Sequence, residues 1–512
     1  MRVVLAADHA ALDMRNALIE RVRAAGHDAR GVGPDSGESV DYPNVAEDLC
    51  MELMSGRADR GILLCGSGAG VCMSANRFPG IRAATAHDTY TAQQMVEHDA
   101  VNVLTMGARV IDVDLAAEIA TLFLEAQFSG VDRHRRRLNK MIRIERHRTM
   151  NPCQQLHDAG QSIWLDYIRR DILDDGTLAR YTSDLAVTGL TSNPSILEKA
   201  VASSDLYDDQ IAQLHGNDPG MSAEDIVFAL AIDDLSRAAT ILRTAWDASG
   251  HTDGFVSLEV SPTLADDTAG TIEQGWALFQ QADTPNLMIK VPGTQAGPAA
   301  IEELIYRGVN VNVTLLFDEQ QYRAAAEAYV RGLQRRHDEG KSLDVASVAS
   351  VFVSRWDTPT HAVVDDDAKF KVGIAATAKC YQASFDVFSG PQWDALAAAG
   401  AHPQKVLMAS TSTKDPSLKD TLYVEALAAA GTVNTIPGDT LLAFADHGEL
   451  GGLLGEAQWQ EADHVLASAT ASGVDIPALA VQLQQEGAAA FVKSWTSLLD
   501  TVTQKTAALQ SA

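Results

Sequence analysis

Cys65 opens the run Cys65-Gly66-Ser67-Gly68-Ala69-Gly70, a thiol followed by alternating glycines. Glycines let a backbone approach a ligand and turn several N–H groups into one concavity. A thiol set there is placed to work as a base whose anion is hydrogen-bonded. Asp8-His9 and His98 add a carboxylate and two imidazoles. Past residue 150 a different set follows: Asp166, Asn193, Glu259, Lys290 and Thr314, each near the polar end of an apolar run. Lysine is among the least buried residue types, yet Asn-Leu-Met-Ile-Lys290-Val-Pro puts one inside a strand expected to be covered on both faces. Burial makes a neutral amine available, and a neutral amine attacks a ketone to form a Schiff base. Asp166, Glu259 and Thr314 then become candidates for the proton transfers. Each residue also has a plainer reading: a buried structural thiol for Cys65, a helix-end residue for His98, a frayed strand end for Lys290.

A second reading of the glycine run is a dinucleotide fingerprint. Val71 stands where its third glycine belongs, and the run follows the third strand-like segment rather than the first. Asp88, 20 residues after Gly68, keeps that reading open.

The elements that must position these groups follow from the apolar pattern. In the first part, β-branched runs at Val3–Leu5, Ala29–Val32, Gly61–Leu64, Ile81–Thr85 and Val101–Thr105 alternate with helical stretches such as Ala11–Ala25 and Tyr90–Glu97. Alternation of this kind predicts a doubly wound parallel sheet, Rossmann-like, of about five strands. Ligands sit at the carboxyl ends of such strands, and Asp8, His9 and Cys65 are placed just past strand ends. In the second part, runs ending at Leu165, Leu190, Leu258, Ile289, Leu316, Val353, Ala409 and Ile436 make eight strands with amphipathic helices between, for example Ala223–Leu242 and Glu319–Gln334. That is the pattern of a (β/α)8 TIM barrel, whose site lies at the C-terminal ends of its strands. The fold class is therefore α/β throughout.

Bulk properties agree with two domains. The first 149 residues hold 18 basic and 20 acidic side chains, leaving 22 and 48 for the rest, so nearly all of the net charge of −28 belongs to the second part. The break falls where a basic helical run ends at Met150, which gives domains 1–148 and 150–512. The acidic balance speaks against nucleic acid and anionic membranes as partners. Five cysteines without Cys-x-x-Cys spacing predict neither a disulfide framework nor a zinc site. The N-terminus is too short an apolar run for a signal peptide, and no apolar stretch reaches membrane-spanning length, so a cytoplasmic location is expected.

Ala-Ala-Asp8-His9-Ala, Gly-Ile-Leu-Leu-Cys65-Gly-Ser-Gly-Ala-Gly, Ala-Asn-Arg-Phe-Pro-Gly-Ile-Arg-Ala and Arg133-His134-xx-Arg137, in that order, resemble the type B ribose-5-phosphate isomerases. The resemblance implies interconversion of ribulose 5-phosphate and ribose 5-phosphate without metal or cofactor. It makes Cys65 the base, with Gly66, Gly68 and Gly70 holding the enediolate oxygens. Ser67 moves protons between those oxygens, and His98 opens the sugar ring with Asp8 on its hydroxyls. His9, Arg109, Arg133 and Arg137 hold the phosphate. The family usually has asparagine where this chain has Asp99. The basic tail reaches a neighbouring subunit's site in the family, which implies at least a homodimer with Arg133 and Arg137 acting in trans. Arg135, Arg136, Arg143 and Arg146 read as a solvated helix face.

Ser-Ile-Trp-Leu-Asp166, Thr-Ser-Asn193-Pro-Ser, Val-Ser-Leu-Glu259-Val, Ile-Lys290-Val-Pro, Asn312-Val-Thr314-Leu-Leu-Phe and Ser350-Val-Phe-Val-Ser-Arg355 resemble transaldolase. The resemblance implies a Schiff base at Lys290 with the dihydroxyacetone unit. Asp166 assists carbinolamine formation and carbon–carbon cleavage, and Glu259 shuttles protons through a water that Thr314 holds. Asn193 and Asn312 bind hydroxyls, and Ser350 and Arg355 bind phosphate. Many members place an arginine shortly after the seventh strand, where Lys414 stands in this chain. Substrates implied for the two halves are ribose 5-phosphate, ribulose 5-phosphate, sedoheptulose 7-phosphate, fructose 6-phosphate, glyceraldehyde 3-phosphate and erythrose 4-phosphate. Histidines of the second half are scattered without ligand spacing, so no metal is expected. Two other readings stay open. One is a hexose-phosphate isomerase fused to a fructose-6-phosphate aldolase. The other makes one half a non-catalytic sugar-phosphate sensor.

Overall fold

The computed structural model describes the chain from Met1 to Gln510 apart from Asp367; of Arg143, Arg146, His147, Arg148, Thr149 and Gln510 it describes the backbone alone. Two of the arginines assigned above to a solvated face, Arg143 and Arg146, therefore lie outside the side chains described; Arg135 and Arg136 are exposed. The chain forms two compact units, Met1–Met150 and Asn151–Ala512.

In the first unit, β1 (Arg2–Ala7), β2 (Asp28–Val32), β3 (Arg60–Cys65), β4 (Ala83–Thr85) and β5 (Val103–Gly107) form one parallel sheet in the order β2-β1-β3-β5-β4. Successive strand residues face opposite sides. Leu5, Ile62, Leu64, Leu104 and Met106 pack with the helices Leu12–Ala24 and Val113–Glu125. Val4, Ala6, Leu63 and Val103 pack on the other side with Tyr42–Met54. Each buried Leu or Ile contributes about 1.5–3 kcal/mol, so the double coverage is what the continuous apolar runs require. Two strands begin later than their runs do: Ile81 and Val101 are buried but precede β4 and β5. Cys65 is the last residue of β3, not the first beyond it.

The second unit closes eight parallel strands: β6 (Gln161–Asp166), β7 (Val187–Thr191), β8 (Val256–Glu259), β9 (Leu287–Pro292), β10 (Val311–Leu316), β11 (Ser347–Phe352), β12 (Lys405–Ala409) and β13 (Thr432–Ile436). Neighbours in the chain are neighbours in the barrel. Pairing of β13 with β6, from Thr432↔Gln161 to Ile436↔Leu165, completes the ring. Trp164, Met288, Val348, Leu407 and Val433 fill the interior, while Ile163, Leu165, Ile289 and Val351 face the surrounding helices. The last helix, Ile476–Gln510, is the longest of the described chain. Among the described residues no single helix is long and apolar enough to cross a membrane. One bent pair, Glu456–Ala471 with Ile476–Leu509, passes by length and composition, but Ala462, Val465, Leu483 and Phe491 bury its apolar side within the barrel unit.

Candidate active sites

The barrel's strand register brings its reactive groups side by side. Glu259 is paired with Lys290 across β8 and β9, and Lys290 with Asn312 across β9 and β10. Lys290 is 6% exposed, which removes the frayed-end reading. Its Nζ donates to the Ser192 carbonyl at 2.9 Å and to Glu259 Oε2 at 3.4 Å. Burial raises the carboxyl of Glu259 above its ordinary range; Lys290 opposes this, and Asp166 adds to it. Burial raises Asp166 as well, against Lys290, a hydrogen bond from Thr191 and the charge of Lys414. That bond is part of a chain: Thr435 Oγ1 lies 2.7 Å from Thr191 Oγ1, which donates to Asp166 Oδ1 at 3.0 Å. With Thr191 donating onward, Thr435 must supply the other proton, so the carboxylate is held in one orientation.

Two buried atoms here have no hydrogen-bond partner among the described residues, Glu259 Oε1 and Thr314 Oγ1. Buried polar atoms are rarely left so; Thr314 lines the cleft described next, whereas Glu259, bonded to Lys290, does not. Asp166, Asn193, Lys290, Thr314, Ser350, Arg355 and Lys414 line a single cleft of about 1050 Å³ that opens to solvent. Asn193, at the cleft wall, caps the helix Pro194–Ala202, its Oδ1 accepting from Ile196 N–H at 3.0 Å. Asn312 is fully buried and does not line the cleft; it donates to Ser257 Oγ at 3.1 Å and accepts from Ser350 Oγ at 2.7 Å. Arg355 lies over the ring of Phe352, and Lys414 donates to Ser412 Oγ at 2.8 Å. Neither forms an ion pair among the described residues.

The cleft also holds residues that reading the sequence did not single out. Thr191 and Thr435 orient Asp166. Lys199, one turn beyond Ser195 on the helix after β7, is a further cation on the wall, and Phe491 comes from the last helix. Their signal is positional: Lys199 falls at i+4 from Ser195 on a helix whose cap is Asn193, but only the folded barrel turns that face inward.

The first unit divides its candidates between two edges of the sheet. At the carboxyl edge, Gly68 N–H donates to Cys65 Sγ at 3.1 Å. Gly68 has φ +82°, a left-handed conformation that lets the chain turn back toward the sulfur. Asp8 follows β1, is buried, and accepts from Ala10 N–H at 2.9 Å; His9 is exposed, with its Nδ1 toward Val40 N–H at 3.4 Å. The loop after β5 is stitched to the cysteine loop through Arg109 N–H to the Gly66 carbonyl at 3.0 Å, and the Arg109 side chain lies against Gly66. Ser67 is exposed beside Gly107, and Tyr42 packs on Gly70. His87, unassigned above, accepts from Gly107 N–H through Nε2 at 2.9 Å. Asp88 caps the helix Thr89–Asp99, accepting from Thr91 N–H and Oγ1 at 2.8 Å each, so its carboxylate is already committed to a role other than a ribose contact.

His98 does not join this group. It lies in the last turn of Thr89–Asp99, a helix that starts after β4 and runs back to the start of β5. At 1.5 Å per residue that return is about 15 Å. His98, which was expected to share the ring with Asp8, thus stands at the amino edge of its own sheet. There its ring is 4.0 Å from that of His134, centroid to centroid. His134 Nε2 accepts from Arg133 Nε at 3.0 Å, and its Nδ1 lies 2.8 Å from Ser129 Oγ. Burial, then the charges of His98, Arg133 and Arg137, holds the His134 imidazole below its usual range, with Asp99 acting the other way. Asp99 is exposed at this edge and belongs with the basic cluster. No group of three His, Cys, Asp or Glu side chains among the described residues is arranged to hold a metal ion.

Residues 163–502 match the Transaldolase/Fructose-6-phosphate aldolase family model, and residues 3–141 the Ribose/Galactose Isomerase model. The transaldolase of Frankia alni is 44% identical over 363 residues, 69% of this chain and 97% of that protein. That of Thermobifida fusca is 43% identical over 366 residues, 70% of this chain and 99% of its own length. Among solved structures, the ribose-5-phosphate isomerase B of Clostridium thermocellum is 35% identical, covering 29% of this chain and 99% of its own at a TM-score of 0.28. The type B enzyme of Trypanosoma brucei is 40% identical, covering 28% and 97% at a TM-score of 0.27. The chain belongs to the transaldolase/fructose-6-phosphate aldolase family, and it is an isomerase and a transaldolase in one polypeptide, the barrel preceded by a unit of ribose/galactose isomerase type.

Proposed function

We propose that the barrel transfers a three-carbon ketol unit between sugar phosphates through a Schiff base on Lys290, and that the first unit interconverts ribulose 5-phosphate and ribose 5-phosphate with Cys65 as base. The observation that carries the first part is a buried Lys290 beside two carboxyls whose proton affinity is raised. The Lys290 amine adds to the C2 carbonyl of a ketose phosphate such as fructose 6-phosphate or sedoheptulose 7-phosphate. Glu259 and a water held on Thr314 Oγ1 carry the protons by which the carbinolamine loses water to give an iminium. The C3–C4 bond then breaks: its electrons pass to the iminium as an enamine, and the C4 hydroxyl proton goes to Asp166. The aldose phosphate leaves. An incoming glyceraldehyde 3-phosphate or erythrose 4-phosphate is attacked by the enamine, Asp166 returns the proton to the new alkoxide, and water releases the ketose. A carboxyl whose proton affinity burial raises suits a group that must both take and give a proton. Asn193 meets hydroxyls, Asn312 holds Ser350 in place behind them, and Arg355, Lys414 and Lys199 draw the phosphate into an otherwise acidic unit.

In the first unit, the Cys65 thiolate removes a proton beside the sugar carbonyl and returns it to the neighbouring carbon. The N–H groups of Gly66 and Gly70 hold the enediolate while that of Gly68 stays on the sulfur, and Ser67 moves the proton between the enediolate oxygens. Asp8, His9 and Arg109 face the sugar from the same edge. Ring opening by His98 and phosphate binding by Arg133 and Arg137 are assigned to a second copy of the chain, because these residues cluster at the far edge of their own sheet. Met141 and Ile144, exposed on the helix Asp132–Thr149, give that copy an apolar surface to cover.

Borohydride added with fructose 6-phosphate is expected to inactivate ketol transfer and to place the label on Lys290. Label on another lysine, or none, would sink the assignment. Running the reaction with and without an aldose phosphate separates transfer from simple release of dihydroxyacetone: transfer requires the acceptor.

A further inference from the structure

Thr314 is followed by Leu315, a bulky residue at φ +61°, where the pairing of β10 with β11 slips between Val313 and Leu316. A branched side chain does not adopt that conformation unless its surroundings impose it. The surroundings come from the last helix. Gln484, 8% exposed, donates through Nε2 to the Leu315 carbonyl at 2.8 Å and to the Gly293 carbonyl at 2.9 Å. Both partners are carbonyls, so only the NH2 of the amide can serve them. Gly293 N–H in turn donates to the Thr314 carbonyl at 2.7 Å. One side chain thereby ties the end of β9, which carries Lys290, to the end of β10, which carries Thr314. One turn on, Gly487 lets the helix come against this corner: a Cβ there would stand 2.8 Å from Leu315 Cδ2 and 3.6 Å from Arg355 Nη1. The same stripe continues to Phe491, which lines the cleft, and to Ser494, whose Oγ lies 2.8 Å from that of Ser195 beyond β7.

We propose that Gln484 is a positioning residue for ketol transfer. Its amide holds the left-handed Leu315 backbone, and this aims Thr314 Oγ1 at the water shared with Glu259. The inference rests on the role given above to Thr314 and extends it to the last helix, which adds no reacting group to the chemistry.

The test is a double-mutant cycle of Gln484→Met with Thr314→Val, reading kcat and KM for ketol transfer and the rate at which borohydride traps the Lys290 adduct. Thr314→Val alone must lower kcat; if it does not, the role of Thr314 fails and so does the reading built on it. With Thr314→Val impaired, Gln484→Met is expected to lower kcat about 10- to 100-fold with KM within about twofold. It should cost nothing further in the Thr314→Val background. Normal kcat in Gln484→Met, or losses that multiply in the double variant, overturn the inference. Should Gln484→Met fail to fold, Gly487→Ala presses on Leu315 while leaving both donors in place. The same kcat loss, again absent in the Thr314→Val background, is expected, and an unchanged kcat or a multiplying loss overturns it.

Discussion

The barrel and the sheet solve one problem in opposite ways. In the barrel, eight parallel strands end on one rim, so Asp166, Lys290 and Thr314 line one cleft within a single copy, with Glu259 bonded to Lys290. In the sheet, the helices return the chain to the other edge between strands. A residue at a helix end, such as His98, is therefore carried away from residues at strand ends, such as Cys65. A closed rim gathers strand-end groups into one site; an open doubly wound sheet spreads strand-end and helix-end groups over two edges, which is why the proposed isomerase site calls on a second copy.

The strongest way to break this comparison is to separate the two activities. Cys65→Ala is expected to lower isomerisation by about 10³-fold or more, the scale of losing a positioned base, with ketol transfer unchanged. Loss of both would mean that the units depend on each other. A sharper version uses two inactive chains. Cys65→Ala and His98→Ala, each deficient alone, are expected on mixing and reassociation to regain about a quarter of the normal isomerase rate. Half of a random population of dimers is mixed, and one of the two sites in each mixed dimer is whole. No recovery would place His98 and Cys65 in the same copy's site, against the separation of their edges.

The contrast also explains what could be read in advance. The barrel was legible because each strand is a continuous apolar run that stops at a polar residue, and the strand ends are the site. Lys290 stood out because lysine is costly in such a run. Lys199 and Gln484 did not: Lys199 lies on an ordinary helix, and Gln484 sits in Val-Gln-Leu-Gln-Gln-Glu-Gly, where nothing separates it from its neighbours until the helix docks. The sheet's strands were legible too, apart from Ile81 and Val101, which are apolar because they are buried in loops rather than paired. His98 was recognisable as a residue but not as a place, since a motif does not say which edge of which copy it serves.

Smaller effects are expected at the barrel's cations. Arg355, half-buried and held over Phe352, offers a planar fork to a phosphate. Its removal should raise KM for the ketose phosphate about 10- to 100-fold, the value of a charge-assisted hydrogen bond. Lys414 and Lys199 are exposed, so each alanine variant should raise KM only about two- to fivefold and lose that difference at high salt. An unchanged KM in Lys199→Ala would remove it from the phosphate site. Equal effects at all three positions would mean a diffuse field rather than a defined subsite.

The smallest effect concerns how the rim that carries Arg355 is braced. Asp357 follows the turn Ser354–Trp356 that carries Arg355, and Tyr423 OH donates to its Oδ2 at 2.5 Å. Burial pushes the Asp357 carboxyl up to about 6, although the bond from Tyr423 and the nearby His361 oppose it. A carboxyl raised on folding contributes stability that is complete below its unfolded value, near 3.8, and lost as pH rises through about 6. With the group only partly buried, the loss should be discounted to about 1 kcal/mol. Asp357→Asn keeps an acceptor for Tyr423 and cannot ionise. It is therefore expected to stabilise the barrel by about 1 kcal/mol near pH 7.5 and by only about a third of that near pH 4.5. Tryptophan fluorescence isolates the measurement, since all seven tryptophans fall after residue 150 and report on the barrel alone. A variant equally destabilised at both pH values would show that Asp357 is ionised throughout and braces the rim as an anion. The barrel would then hold the rim that carries Arg355 with fixed charge, as the sheet's far edge carries its arginines.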